Sequence, residues 1–110
     1  MDTQIQQTFE QLKQTISVST SPFHTAKEAM CRLNEAGFVT LDWDSTWELV
    51  PGGKYAVCPF GTTVFGFQIG TDLSDTPVWK LSSSHIDNPG FRIKYNPVVS
   101  SKNGCRLNTE

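Results

Sequence analysis

Residues 79–95 read WKLSSSHIDNPGFRIKY and place a histidine, His85, and an aspartate, Asp87, between two apolar segments. Before the pair, the apolar residues of segment 78–81 predict a short buried strand that leads into a serine-rich loop. After the pair, apolar residues at positions 91, 93 and 95 alternate with basic ones, which is typical of a strand with one buried face. The sequence therefore predicts that His85 and Asp87 lie in a loop between two strands.

The spacing of His85 and Asp87 suits a shared site. In extended backbone, side chains two residues apart point to the same side of the chain. Neutral imidazole is a common zinc ligand, and a nearby carboxylate can orient it and tune its basicity. Pro89 and Gly90 would stiffen and turn the chain behind the pair. From spacing alone, however, a loop histidine capped by a loop aspartate is the commoner interpretation.

Upstream of this loop, the sequence predicts two helices joined by a small polar segment. The first helix carries an apolar stripe at helical spacing, formed by Ile5, Phe9, Leu12 and Ile16. Such a stripe can dock a partner or an oligomer neighbour, but we favour the commoner role of packing within its own domain. Pro22 is well placed in the first turn of the second helix, and Gly37 follows as its predicted C-terminal cap.

Beyond Gly37, the pattern changes to short strands and turns. Segment 39–43 alternates apolar and polar residues, and segments 55–58 and 64–69 flank PFGT at 59–62, which predicts a hairpin. Gly66 predicts a bulge or a close backbone approach. Segment 70–77 is interpreted as a solvated turn, and residues 98–109 as a strand, an Asn-Gly turn and another strand. The predicted fold class is α/β, with two N-terminal helices followed by a mixed β-sheet.

Three further residues could carry chemistry, and each has a structural interpretation that we favour. His24 has no acidic neighbour in sequence, and the dipole of a helix would disfavour its charged form in the first turn. Trp43 and Trp47 could form a binding surface, but aromatic residues more often lie in a core or a domain contact.

The amino-acid composition indicates which classes of partner, and which compartment, to expect for this chain. Nine Lys and Arg against eleven Asp and Glu give a formal net charge of -2, so we expect no nucleic acid and no membrane partner. No apolar segment approaches the ~20 residues that a membrane span needs. Three cysteines at irregular spacing favour free thiols in a reducing compartment, and we expect a cytoplasmic location.

From residue 21 onward, separate blocks of sequence resemble the aspartyl aminopeptidase family, in the family's order. The blocks are SPFH at 21–24, AGF at 36–38, WEL at 47–49, PGGKY at 51–55, HIDNPGFRIK at 85–94 and NP at 96–97. The family usually has HTDSP where this chain has HIDNP, so the histidine and the aspartate are kept while the residues around them differ.

This resemblance implies a cytosolic dinuclear zinc exopeptidase that removes acidic residues from the N-termini of peptide substrates. It implies that His85 ligates one metal and that Asp87 serves the catalytic site as an orienting, charge-balancing carboxylate. Two zinc ions would acidify a water and polarise the scissile carbonyl, while a downstream Glu would move the proton.

The resemblance also implies a longer protein, because family members are several times the length of this chain and carry their other metal ligands downstream. We therefore expect residues 1–110 to be the N-terminal part of the catalytic domain, the first part of a zinc-exopeptidase-like core, truncated at the C-terminus. The chain alone is expected to be inactive. For the full-length protein, the resemblance implies a homo-oligomer.

A second hypothesis is a small noncatalytic protein-interaction module that docks a partner through the first helix and through Trp43, Trp47 and Trp79. Sequence beyond Glu110 separates the two hypotheses. Further Asp, Glu and His ligands there would support the enzyme, and a stop codon directly after Glu110 would support the module.

Overall fold

Two helices, a three-stranded sheet and a separate β-hairpin make up the computed structural model, which describes residues 3–72 and 78–110. In chain order the elements are α1 (Thr3–Val18), α2 (Pro22–Glu35), β1 (Val39–Thr40), β2 (Lys54–Val57), β3 (Phe65–Gln68), β4 (Ile93–Ser101) and β5 (Gly104–Thr109). The predicted fold class is confirmed. The centre of the turn predicted at 70–77 lies outside the described residues. Within the described ranges, no helix combines the length and the apolar content that crossing a membrane requires.

Helix α2 has the start and the end that its sequence predicts. It begins at Pro22, whose missing N–H costs nothing in the first turn. At its other end, Gly37 has a φ of +84° and its N–H donates to the carbonyl of Asn34 at 3.0 Å. The N–H of Phe38 donates to the carbonyl of Leu33 at 2.9 Å. These two bonds form a Schellman termination, so the predicted glycine cap is confirmed.

The three-stranded sheet is mixed, because β1 runs parallel to β2 and β2 runs antiparallel to β3. The pairing of β2 with β3 confirms the predicted hairpin, and the strand predicted at 39–43 is shortened to β1. A β-carbon added to Gly66 would lie 3.3 Å from the δ-carbons of Leu33, so α2 packs closely over the sheet there. The close neighbour is a side chain, and the pairing at Gly66 is regular, so neither the predicted bulge nor the predicted backbone approach is found.

The buried apolar residues of the described chain are Ala26 of α2 and Tyr55, Ala56 and Val57 of β2. Ala56 pairs with Gly66 and so lies on the face towards α2, whereas the ring of Tyr55 packs on Phe67.

Strands β4 and β5 form an antiparallel hairpin that is separate from the three-stranded sheet. Lys102 and Asn103 make its turn, so the predicted strand, turn and strand are confirmed. Two backbone hydrogen bonds between Arg92 and Glu110, of 2.8 Å and 2.9 Å, continue the pairing beyond the strands.

The prediction that one face of segment 91–95 is buried is wrong. The exposed fractions are 89% for Phe91, 58% for Ile93 and 98% for Tyr95. In the described part of the chain, β4 and β5 pack chiefly on each other. An alternating strand buries its apolar face only where a second layer covers it, and here the strand forms without that layer.

The short buried strand predicted at 78–81 is also wrong. Residues 78–92 have no regular secondary structure, and the exposed fractions of Trp79 and Leu81 are 83% and 94%. A short apolar run forms a strand only where a neighbouring strand can pair with it. Among the described residues 78–110, the loop that carries His85 and Asp87 is therefore followed by a strand, while residues 78–84 before it form none.

The prediction that the apolar stripe of α1 packs within its own domain is wrong as well. Helix α1 has no buried residue, and the four side chains of the stripe are between 53% and 66% exposed. Its contact with α2 includes a polar one, in which Arg32 Nη2 donates to the carbonyl of Gln11 at 3.2 Å. Because α1 meets α2 away from the stripe, the stripe is left open to solvent.

Candidate metal centre

His85 and Asp87 lie together in the loop before β4. The Nδ1 atom of His85 is 2.8 Å from the backbone carbonyl oxygen of Asp87 and 3.2 Å from its Oδ1. Both side chains are largely exposed, His85 at 82% and Asp87 at 71%. The structure therefore brings the two predicted site residues into direct contact, at an open position on the surface of the described chain.

The partners of Nδ1 determine the tautomer of His85. A carbonyl oxygen and an ionised carboxylate can only accept hydrogen bonds, so Nδ1 carries the hydrogen and donates it to Asp87. In a neutral imidazole, the other ring nitrogen, Nε2, then has a lone pair. Histidines that bind metals usually show this arrangement, in which one ring nitrogen donates to a carboxylate or carbonyl.

These donors fit zinc but do not complete a zinc site. Within residues 3–72 and 78–110, no group of three or more His, Cys, Asp and Glu side chains is placed to hold a metal ion. A catalytic zinc ion takes about three protein ligands. The described chain therefore supplies one imidazole and one orienting carboxylate, and His85 with Asp87 can form only part of a metal centre.

Asn88, the neighbour of Asp87, makes a long-range contact that no sequence pattern predicted. Its Nδ2 donates to the carbonyl of Ser19 at 3.1 Å, across 69 residues of sequence. Ser19 follows α1 and is only 9% exposed. The signal available in the sequence was the difference between HIDNP in this chain and HTDSP in the family that it resembles.

His24 has the structural role predicted for it. It lies in the first turn of α2, where its backbone N–H donates to Oγ of Ser21, the N-cap residue, at 3.4 Å. Its Nδ1 is 2.8 Å from the same Oγ. His24 therefore takes part in the capping contacts at the start of α2.

Trp47 belongs to an aromatic cluster on the sheet, whereas Trp43 lies at its edge. The ring centroid of Trp47 is 6.1 Å from that of Phe67, which in turn is 5.6 Å from that of Tyr55. Trp43 meets Trp47 edge-on at 6.3 Å and remains 50% exposed. The core interpretation fits Trp47, and it fits Trp43 only in part.

The three cysteines, Cys31, Cys58 and Cys105, are free thiols. The carboxylate of Glu35, one turn along α2, raises the pKa of the Cys31 thiol above its usual value. The Sγ atom of Cys31 also donates to Oε1 of Glu35 at 3.7 Å. Cys31 is therefore held in its protonated form, which is neither a nucleophile nor a good metal ligand.

Comparison with known proteins relates this loop and its surroundings to a family of metalloproteases. The family model described as aminopeptidase I zinc metalloprotease (M18) matches residues 15–110. A probable M18 family aminopeptidase 2 of Clostridium acetobutylicum is 37% identical over 93 residues, covering 84% of this chain and 22% of the relative. A protein of the same name from Pseudomonas putida is 27% identical over 95 residues, covering 86% of this chain and 22% of the relative. The chain thus spans about a fifth of the length of these relatives.

The fold is also found in a solved structure. A chain in the cryo-EM structure of the Ape4 and Nbr1 complex matches with a TM-score of 0.71 and 23% identity, covering 88% of this chain and 19% of that one. This likeness supports the α/β arrangement described above. The family that the sequence blocks resemble is confirmed by the match over residues 15–110, and the chain belongs to the aminopeptidase I zinc metalloprotease (M18) family.

Proposed function

We propose that this chain is the N-terminal part of a zinc-dependent aminopeptidase that removes Asp and Glu from the N-termini of peptides. The observation that carries the proposal is the contact of His85 Nδ1 with Asp87, which leaves Nε2 for a metal. Membership of a zinc metalloprotease family supports it. The activity is proposed for the full-length protein, because the chain spans 22% of the relative's length.

In this proposal, His85 ligates one of two zinc ions through Nε2. Asp87 accepts the Nδ1 hydrogen, fixes the tautomer and makes the ring a more basic ligand. When bound, zinc supplies Lewis acidity, which lowers the pKa of water and polarises the scissile carbonyl. Pro89 restricts the backbone beside the pair, so that less order has to be gained when the site forms.

Metal analysis paired with kinetics on the full-length protein tests the role of His85. His85→Ala removes a ligand and should lower zinc content and kcat/KM together, by about 100-fold or more in kcat/KM. Asp87→Asn keeps an acceptor for Nδ1 but removes the charge, so it should retain most of the zinc and lose about 10- to 100-fold in activity.

His24→Ala is the matched control, because it removes the other histidine, which lies in the first turn of α2. It should leave zinc content and kcat/KM within about twofold of the parent. A His85→Ala protein with full zinc content and near-normal turnover would reject the ligand assignment.

The preference for acidic residues rests on the resemblance of the sequence blocks to aspartyl aminopeptidases. Chromogenic Asp, Glu and Leu substrates, assayed side by side with the full-length protein, test it. Higher kcat/KM on the acidic substrates supports the proposal. A preference for the Leu substrate would reject the proposed specificity and leave the aminopeptidase activity standing.

The 110-residue chain should not be an enzyme by itself. Because the described part of the chain brings only one imidazole and one carboxylate to the site, the isolated chain should bind zinc weakly and show only background hydrolysis even when zinc is added. Turnover by the isolated chain that disappears in His85→Ala would contradict this expectation.

We further propose that the full-length protein is cytoplasmic and assembles as a homo-oligomer. Three free thiols, two of them exposed, suit a reducing compartment. Cell fractionation and sedimentation of the full-length protein test the two statements separately.

A noncatalytic interaction module remains the second candidate function. The exposed apolar stripe of α1 and the half-exposed Trp43 favour it. It would be supported if the full-length protein showed no metal-dependent hydrolysis of any amino-acid substrate and lost no function in His85→Ala.

A further inference from the structure

We propose that Asn88 is a positioning residue, which ties the loop of the metal ligand to the junction between the two helices. This role rests on the proposed zinc-aminopeptidase function. The contact that carries it is the hydrogen bond from Asn88 Nδ2 to the carbonyl of Ser19, of 3.1 Å and partly buried. It joins the two described parts of the chain, 3–72 and 78–110.

The anchor point at Ser19 is well held. Ser19 is buried, and its N–H donates to the carbonyl of Thr15 at 3.0 Å, which continues the hydrogen bonding of α1. Two residues later, Ser21 caps α2. The carbonyl that accepts from Asn88 therefore belongs to a short link whose two ends are fixed by helices.

The other end of the contact is one residue from the proposed site. Asn88 follows Asp87, which holds the His85 ring through Nδ1. Pro89 restricts Asn88 to extended backbone. Because Pro89 makes the backbone at Asn88 stiff, a restraint on the Asn88 side chain also restricts the positions of Asp87 and of the His85 imidazole.

This restraint matters because the loop has few others. Residues 78–92 lack regular secondary structure, and the side chains of His85 and Asp87 are largely exposed. A loop with little buried surface is ordered chiefly by its specific polar contacts. The Asn88 amide therefore sets where Nε2 of His85 lies relative to the helical layer.

The chemistry of the contact makes the proposal testable, because a carbonyl oxygen accepts only from a donor. Asn88→Asp keeps the size of the side chain but puts a carboxylate where the amide hydrogen was, so the two oxygens repel each other. Asn88→Ala removes the donor without adding a carboxylate. Asn103→Asp, in the turn between β4 and β5, is the matched control for the change of charge.

The experiment uses the full-length protein with each of these three substitutions. Hydrogen exchange of residues 84–91 is measured on the zinc-free protein, and zinc retention against a chelator, kcat and KM are measured on the zinc-loaded protein. Both Asn88 variants should exchange about fivefold faster in this loop, as expected for losing one hydrogen bond. Both variants should also retain zinc about tenfold less well against the chelator. Their kcat should fall by a larger factor than their KM changes.

Loop exchange and zinc retention equal to those of Asn103→Asp would overturn the proposal. So would a lowered melting temperature with unchanged zinc retention, because that is the signature of a purely structural residue. If the unsubstituted protein binds no zinc and hydrolyses nothing, the proposed aminopeptidase fails. Faster loop exchange in both Asn88 variants would then still support the tether between the loop and Ser19.

Discussion

The α/β unit at 3–72 and the loop and hairpin at 78–110 differ in whether their apolar faces are covered. In the first, α2 packs on one face of the sheet and Trp47 contacts Phe67 of β3, and Tyr55, Ala56 and Val57 are at most 6% exposed. In the second, Leu81 and Tyr95 are 94% and 98% exposed. The radius of gyration is 20.0 Å, compared with roughly 13 Å for a compact domain of this length. Paired strands thus form in both regions, but burial depends on a second layer.

The largest difference in stability between the two regions is expected when one aspartate is introduced into each of them, in separate variants. Val57→Asp buries an unpaired carboxylate and should lower the free energy of unfolding by at least about 4 kcal/mol. Val99, in β4, is 48% exposed, so Val99→Asp should cost less than about 1 kcal/mol. Chemical denaturation of the 110-residue chain measures both values. Equal losses would show that the hairpin has a buried core of its own.

The second prediction concerns self-association of the 110-residue chain through the exposed hairpin. Tyr95 and Leu107 are 98% and 63% exposed, and apolar surface of this kind favours association. Tyr95→Lys combined with Leu107→Lys should weaken association about tenfold, measured by sedimentation over a range of concentrations.

Asn108→Lys is the control for this experiment, because it adds a charge to β5 without removing an apolar side chain. It should weaken association much less than the double substitution. A stable monomer at all concentrations, or an equal effect of the control, would contradict the contrast between the two regions.

A smaller effect is expected where a backbone conformation requires glycine. Gly37 ends α2 with a φ of +84°, so Gly37→Ala should lower the free energy of unfolding by about 1 kcal/mol. Gly90, in the loop, does not have a positive φ, and an added β-carbon would come no closer than 4.0 Å to the carbonyl oxygen of Asn88. Gly90→Ala should therefore change stability by less than about 0.5 kcal/mol. Thermal unfolding measures the stability of both variants. A larger loss of stability in Gly90→Ala than in Gly37→Ala would contradict the conclusion that the backbone requires glycine at position 37.

The smallest effect is expected at an exposed thiol of the α/β unit. Glu35 raises the pKa of Cys31, so Glu35→Gln should lower that pKa and speed alkylation of Cys31 at neutral pH. At a pH well above the pKa, the thiol is ionised in both proteins and the rates should converge. Solvent screens this exposed pair, so the change should be small. Glu10→Gln, on α1, is the control and should leave the rate at Cys31 unchanged.

Most of the secondary structure could be predicted because its signals are local. The Schellman end at Gly37, the hairpin of β2 with β3 and the turn at Asn103 all depend on residues close together in the chain. The contact of His85 with Asp87 was predictable for the same reason, since they are two positions apart in the sequence. The hydrogen bond from Asn88 to Ser19 was not predictable, because the two residues are 69 positions apart and no local pattern encodes their contact.

The failed predictions share one physical cause. Periodicity shows which face of a helix or strand is apolar, but it carries no information on what will cover that face. The sequence correctly identified three apolar surfaces, and all three are exposed. They are the stripe of α1, the apolar positions of segment 91–95 and the run at 78–81.

Residue chemistry close along the chain was enough to identify the helices, the turns, the family and the histidine with its carboxylate. Three-dimensional packing alone decided that α2 rather than α1 covers the sheet, and that Asn88 reaches the junction after α1. The physical reason is range: dihedral preferences and caps act over a few residues, whereas burial and tethering depend on surfaces brought together from distant parts of the chain.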